Sequence, residues 1–340
     1  MQKIAVVILN FNGERLLEKF LPNVIKYSSD VAEVIVADNA STDDSVNFLK
    51  KNYPDIRVIS NSRNEGFATG YNLALKEVEA EYFVLLNSDV EVTFNWIQPI
   101  IEYMDANKDV AACQPKILSW SDKSMFEYAG ASGGYIDKYG YPFCRGRIFM
   151  DLEKDNKQYD KSTEVFWASG AALFIRSKLF HEVGGFDDLF FAHMEEIDLC
   201  WRLKHLGHKI MCIPDSVVYH VGGGTLNKMS SRKTYLNFRN NSILMLKNLP
   251  KKRFIWVIFY RLILDGVAGL KFLLEGNPSH TLAVIKAHLY VYKNWRMLIK
   301  KRKTVFREDK VSCIYKRNIV FDHYLRKKNK YSNLNKTEFS

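Results

Sequence analysis

The chain has 340 residues, 47% hydrophobic and 14% aromatic, enough to bury a large core and to fold as a globular protein. Its net charge of +11 is unevenly placed: up to residue 225 there are 23 Lys and Arg against 32 Asp and Glu, and beyond it 26 against 6, so the two parts carry about −9 and +20. Five cysteines (Cys113, Cys144, Cys200, Cys212 and Cys313) are odd in number and lack CxxC spacing, which excludes a disulfide framework and a zinc knuckle and fits reduced thiols in a cytoplasm.

The first apolar run, Ala5 to Leu9, is too short for a signal-peptide core and reads as a strand over 4–9. Types then alternate: helix 16–27, strand 34–37, helix 44–51, strand 57–59, helix 69–78, strand 82–86. That alternation predicts a mostly parallel, Rossmann-like sheet with helices on both faces. Leu16, Leu17, Phe20, Leu21, Val24 and Ile25 recur at helical spacing in the first helix, where Pro22 predicts a kink or a restart. Ser41 and Thr42 supply capping oxygens for the second helix. A further helix from Trp96 and a strand over 110–113 continue the pattern, and residues 119–162, rich in Gly, Tyr, Asp and Lys, read as a long irregular excursion. Regular structure resumes at 165–175, turns at Gly184 and Gly185, and continues as a helix over 195–206 and strands at 210–213 and 216–219.

A domain edge is expected near residue 225, dividing an α/β unit (1–225, in two halves that meet at about 115) from a basic, aromatic-rich helical region (226–340). Helices are predicted over 235–249 and 254–274. The second is long enough to span a bilayer, but Arg261, Asp265 and Lys271 interrupt it, each costing about 2.5–3.5 kcal/mol at a bilayer centre. An interfacial or packed helix is the expectation.

The chemistry gathers where strands end. The apolar run Phe83 to Leu86 stops at Asn87, Ser88 and Asp89, placing a carboxylate at the carboxyl edge of a buried strand, where open α/β sheets hold ligands. No glycine loop is present to cradle a phosphate, so the carboxylate points to a divalent cation. The segments NFNG (10–13), VADNASTDDS (36–45), NEGFATGYN (64–72) and LLNSD (85–89) fall at successive strand ends and would line one cleft. Asp38 can accept a pyrimidine imide N–H or form a turn. Phe11 offers a stacking face or packs in the core.

With the later segments ASGAALFIRSKLFHEVGGFDDLFFAHMEEIDLCWRLKHLG and YHVGGG, the order of motifs resembles glycosyltransferase family 2 over roughly residues 3–225, and most closely its rhamnosyltransferase-like branch. The resemblance implies a GT-A-type α/β fold, a nucleotide-sugar donor (a UDP- or dTDP-sugar), a divalent cation such as Mn2+ or Mg2+, and inversion at the anomeric carbon. It assigns donor contacts to Asn10, Phe11, Asp38, Asn64 and Asn87. Asp89 matches the last acid of the family's DxD motif, and Asn87 replaces the first.

Glu195, Glu196 and Asp198 open a helix whose dipole tolerates acids. In the family pattern Glu196 stands at the general base, with Glu195 in play beside it. Trp167 and Gly170 match the acceptor pocket, Trp167 with core packing as its alternative. His220 matches a second metal ligand or is structural. Arg202 is expected to pair with Asp198 rather than touch diphosphate. The implied acceptor is a saccharide or a polyprenyl-linked saccharide. The basic region, with Trp256, Phe259, Tyr260, Tyr290, Tyr292 and Trp295 interleaved, suits an anionic membrane surface or a plain solvated face, and places the protein on the inner side of a membrane. No nucleic-acid module is visible. Two other readings fit parts of the pattern: a sugar-phosphate nucleotidyltransferase, and a catalytically weak nucleotide-binding protein at a membrane surface.

Overall fold

The computed structural model describes residues 2–222, 230–304 and 311–340. Gly223 and Gly224 of the YHVGGG motif and the domain edge expected near 225 lie outside the described residues.

The N-terminal alternation builds β1 (Gln2–Asn10), α1 (Glu14–Ser28), β2 (Glu33–Asp38), α2 (Ser45–Asn52), β3 (Arg57–Ser60), α3 (Gly66–Ala74) and β4 (Ala80–Asn87). β5 (Val90–Val92), α4 (Gln98–Ala106) and β6 (Val110–Ser119) follow. The strand order β3-β2-β1-β4 is parallel throughout. Helix α1 runs through Pro22 without a break. Pro22 is on the exposed face, where water can hydrate the carbonyl its ring leaves without a partner. The oxygens at the start of α2 come from Asp43, which accepts from the Ser45 N–H at 3.2 Å and, through its other oxygen, from the Glu14 N–H at 3.0 Å. Thus one carboxylate ties two helix starts together, and the oxygen at the start of α2, expected from Ser41 and Thr42, comes from Asp43.

The other half of the sheet is mixed. Residues 165–175 divide into β11 (Thr163–Val165) and β12 (Ala172–Arg176), and β12 inserts antiparallel between β4 and β6. The two strands expected around residues 210–219 are one long β13 (Lys209–His220), parallel to β6 with a register shift between Ile213 and Val217. β5 and β11 flank β13 antiparallel. Two apolar clusters fill the faces, one around Phe83, Phe180 and Trp201, the other around Trp96, Phe174 and Val84.

The excursion is not irregular. It holds β7 (Gly134–Asp137), β8 (Pro142–Cys144), β9 (Arg147–Ile148) and β10 (Asp151–Leu152), a small antiparallel sheet that β14 (Ile314–Tyr315) joins from the C-terminal end. Its core is aromatic: Tyr135, Phe143, Tyr315, Tyr331 and Phe339 pack ring on ring. Beyond β12 come α5 (Ser177–Glu182) and α6 (Glu195–His205), then α7 (Ser231–Asn248), α8 (Lys251–Leu274), α9 (Pro278–Lys293), α10 (Trp295–Thr304) and α11 (Ile319–Tyr324). Among the described residues no helix is long and apolar enough to cross a membrane.

The basic region is partly spent inside the molecule. Lys247 bonds Asp187 at 2.5 Å and Asp198 at 2.9 Å, and Lys301 bonds Asp187 at 2.5 Å and Asp188 at 2.8 Å. Arg302 donates to the carbonyls of Leu246 and Leu249 at the end of α7. Arg261 and Asp265 pair at 3.2 Å on the buried side of α8, which explains how two charges sit within an apolar helix.

Candidate active site

Sheet register brings the strand ends level. Asn10 lies opposite Asp38, and Leu9 opposite Asn87, so the loops after β1, β2 and β4 open on one edge. Asp38 is 2% exposed and largely occupied: Oδ1 accepts from the Asn10 amide at 3.0 Å and the Ser41 hydroxyl at 2.6 Å, and Oδ2 from the Ser41 N–H at 2.9 Å. It therefore fixes the loop after β2. Asn10 is fully buried, and Gly13 leaves room for it, since a Cβ there would lie 2.4 Å from Asn10 Oδ1. Phe11 is partly exposed beside them.

Asn64 works through a neighbour the sequence reading passed over. Asn39, 2% exposed, donates to Asn64 Oδ1 at 3.1 Å and to the Gly66 carbonyl at 3.1 Å, and its own oxygen accepts from Asn61 at 3.0 Å. Gly66 is at φ 75°, and a Cβ there would lie 2.5 Å from the Phe191 carbonyl. That contact and the hydrogen bond from Phe67 N–H to Phe191 O at 2.8 Å bind the loop before α3 to the segment that leads into α6.

Across the sheet, Asp89 and His220 meet. Asp89 Oδ1 is 3.1 Å from His220 Nε2, and the Asn87 amide is 3.4 Å from the same nitrogen. The other ring nitrogen, Nδ1, is 3.2 Å from Glu127 Oε2. All three of Asp89, His220 and Glu127 are buried. Burial pushes the Asp89 carboxyl up, but the His220 ring beside it brings it below the usual carboxylate range. Burial alone would lower the His220 imidazolium; Asp89 and Glu127 reverse this and hold it up to about 10. Glu127 lies in the excursion, far from His220 in the chain, with no motif around it, so nothing in the sequence pointed to it.

Among the described residues no group of three or more His, Cys, Asp or Glu is arranged to hold a metal ion. The cleft offers a pair instead. Asp89 Oδ1 and His220 Nε2, 3.1 Å apart at the strand ends, are the two donors that would hold a cation there. A carboxylate and an imidazole suit a Mn2+-type ion, and Glu127 on the far ring nitrogen would orient the ring and fix its tautomer.

The two acids at the start of α6 differ. Glu195 is 4% exposed, and burial together with the neighbouring Glu196 charge holds its carboxyl well above the usual range. Glu196 is partly exposed, and burial raises it to about 7. The helix starts from two left-handed residues, His193 at φ 70° and Met194 at φ 75°. Asn240 of α7 clamps this turn by donating to the carbonyls of Ala192 and His193, each at 2.8 Å. Asp198, fully buried, bonds Arg202 at 2.8 Å, as the sequence predicts, and also Lys247 and Asn248 of α7.

Trp167 is 3% exposed; its ring N–H bonds the Tyr135 carbonyl at 3.0 Å and its face covers Gly134, so it packs in the core, the alternative to an acceptor-pocket role. Gly170 is buried against Phe67, 3.0 Å from where its Cβ would stand.

Residues 5–181 match the profile of Glycosyl transferase family 2. A curated relative, N-acetylglucosaminyl-diphospho-decaprenol L-rhamnosyltransferase of Mycobacterium tuberculosis, is 25% identical over 233 residues, covering 64% of this chain and 75% of its own length. Among solved structures, GalNAc-T7 with UDP, GalNAc and Mn2+ superposes with a TM-score of 0.57 at 17% identity, over 74% of this chain and 49% of that one. The mannosyltransferase PcManGT from Pyrobaculum calidifontis, in complex with GDP-Man and Mn2+, superposes with a TM-score of 0.51 at 15% identity, over 88% and 84% of the two chains. These two likenesses establish the fold as GT-A type.

Proposed function

Because the chain belongs to glycosyl transferase family 2, we propose that it is an inverting, metal-dependent transferase moving a sugar from a UDP- or dTDP-sugar, with dTDP-rhamnose favoured, to a hydroxyl of a lipid-linked saccharide. The observation that carries this reading is the Asp89–His220 pair, which shares the carboxyl edge of the sheet with the ends of β1 and β2. The similarity to a decaprenol-linked rhamnosyltransferase supports the sugar and the lipid-linked acceptor, and thereby a role in cell-surface polysaccharide synthesis on the cytoplasmic face of a membrane. A nucleotidyltransferase loses its support with the family assignment.

Asp89 and His220 would hold Mn2+ or Mg2+, and such an ion neutralises the charge that develops on a departing diphosphate. Asn10, Asp38 and Asn64 hold the loops against which base and ribose settle, Phe11 offers its exposed face to the base, and Asn87 stands within reach of a ribose hydroxyl. Glu196 takes the proton of the acceptor hydroxyl. That oxygen forms the new bond to the anomeric carbon from the side opposite the leaving nucleoside diphosphate, so configuration inverts. Partial exposure beside a raised pKa near 7 favours Glu196 over the more buried Glu195 for this role.

A panel of UDP- and dTDP-sugars with Mn2+ or Mg2+ and a lipid-linked saccharide tests the proposal. Transfer with inverted product is expected for at least one donor, and Asp89→Ala should lower it by about 10² or more. An Asp89→Ala protein with unchanged transfer would overturn the metal-site assignment.

A further inference from the structure

Helices α8 and α9 form an antiparallel hairpin whose inner side is well explained. Thr281 Oγ1 donates to the Gly269 carbonyl at 2.8 Å and His288 Nε2 lies 3.3 Å from Asp265, which sets the register of the pair. Arg261 stacks on Tyr141 with its guanidinium 3.7 Å from the ring centre, and Tyr260 packs on Tyr139, so α8 is seated on the β7–β8 turn. That turn belongs to the excursion that also delivers Glu127 to His220.

Among the described residues nothing covers the outer side. Trp256 is 74% exposed, Phe259 59% and Ile263 52%, at helical spacing along α8. On α9, Ile285, Leu289 and Tyr292 are each at least half exposed at the same spacing. The register places Phe259 level with Tyr292 and Ile263 level with Leu289, so the two stripes form one apolar face, wider than isolated surface residues produce. Its aromatic end, where Trp256 falls level with Trp295, is also its basic end: Lys252, Arg253, Lys293 and Arg296 are exposed there. Residues 251–304 hold 12 Lys and Arg against two acids; Arg261 and Asp265 neutralise each other in a buried pair and Lys301 and Arg302 are engaged inside the molecule, which leaves nine cations against Glu275.

We infer that this α8–α9 face docks on an anionic bilayer surface, its aliphatic stripe at the level of the upper acyl chains and its Trp, Tyr, Lys and Arg end among the headgroups. The inference rests on the lipid-linked acceptor proposed above and adds the surface that brings the enzyme to it. Because α8 is anchored to the excursion that carries Glu127, docking holds the acceptor half of the cleft at a fixed height over the membrane.

The test is flotation of the full chain with vesicles of phosphatidylglycerol and phosphatidylcholine, and with phosphatidylcholine alone. The wild-type protein is expected to float with the anionic vesicles and at least about tenfold less with the neutral ones. Ile263→Glu with Leu289→Glu should lower flotation by a further tenfold or more. Both sites are exposed, so circular dichroism and the melting temperature should not change, and donor hydrolysis in solution should stay as in the wild type. No flotation of the wild-type chain, or equal flotation of the variant, overturns the inference. A wild-type dimer that the variant dissolves, without vesicle binding, overturns it too and makes the face a self-association surface. Flotation as expected without transfer from any donor would leave the docking face standing and remove the proposed reaction.

Discussion

Glu196 must lose its proton to act, and its surroundings make that costly near neutrality. With a pKa of about 7 in the folded protein, turnover should rise with pH through about 7 and level off above it. Glu196→Gln should lower kcat by about 10²–10⁴ and erase this limb. The sign for stability is opposite. Burial raises the carboxyl in the folded state above its ordinary 4.5, so the stability it contributes is fully present below 4.5 and is lost as pH rises through about 7. Glu196→Gln keeps the neutral form at every pH, so its melting temperature should exceed that of the wild type at pH 8 and approach it at pH 4. Thermal melts at the two pH values, beside the rate profile, check both halves; a variant that loses activity without gaining stability at pH 8 would mean that the carboxyl is not poised by burial.

The turn that presents Glu196 depends on a different element from the one that carries it. His193 and Met194 both occupy the left-handed region, which costs of order 1–3 kcal/mol each and needs surrounding structure to hold it. Asn240 of α7 supplies that hold through its two 2.8 Å bonds. Asn240→Ala should therefore lower kcat by about 10- to 100-fold with the donor KM nearly unchanged, because the base is misplaced while the nucleotide loops are untouched. A matching loss in KM, or no loss in kcat, would separate α7 from catalysis. This joint also marks what the sequence could and could not reveal. The strands whose ends bear Asn10, Asp38 and Asn87 were legible because each is a local apolar run with a polar stop. Glu127 and Asn240 were not, because each acts on a partner distant in the chain through contacts that leave no periodic trace. The excursion looked irregular for a related reason: β9 and β10 have two residues each, too short for alternation to show, and β14 arrives from the C-terminus to complete their sheet. The antiparallel insertion of β12 was hidden in the same way, since direction in a sheet is set by neighbours and not by the strand's own pattern.

At the scale of the whole molecule, the split between an acidic and a basic part suggests two modules, and the ion pairs show the two parts stitched together. Lys247 is the main stitch: a 3% exposed ammonium on α7 that bonds Asp187 before α6 and Asp198 within it. Against the pull of burial, which acts to raise them, Lys247 holds both carboxylates below their usual range, helped by Lys301 at Asp187 and by Arg202 at Asp198. A folded carboxylate held low contributes stability that is present above its ordinary 3.8 and is lost as pH falls through its folded value. Lys247→Met keeps most of the side-chain volume and leaves the two acids with weaker partners. Breaking a buried pair this way costs about 3–5 kcal/mol, less here because Lys301 and Arg202 remain. The melting temperature at pH 7 should fall by roughly 2–5 °C. The gap to the wild type should then narrow as pH is lowered below 3.8 toward the folded values of the two acids, where both proteins approach the state in which the acids are neutral. Melts across that range decide the matter: a gap that stays constant with pH would trace the loss to packing of the lysine stem, and no gap at all would mean that the acidic and basic parts are held together by their apolar contacts alone.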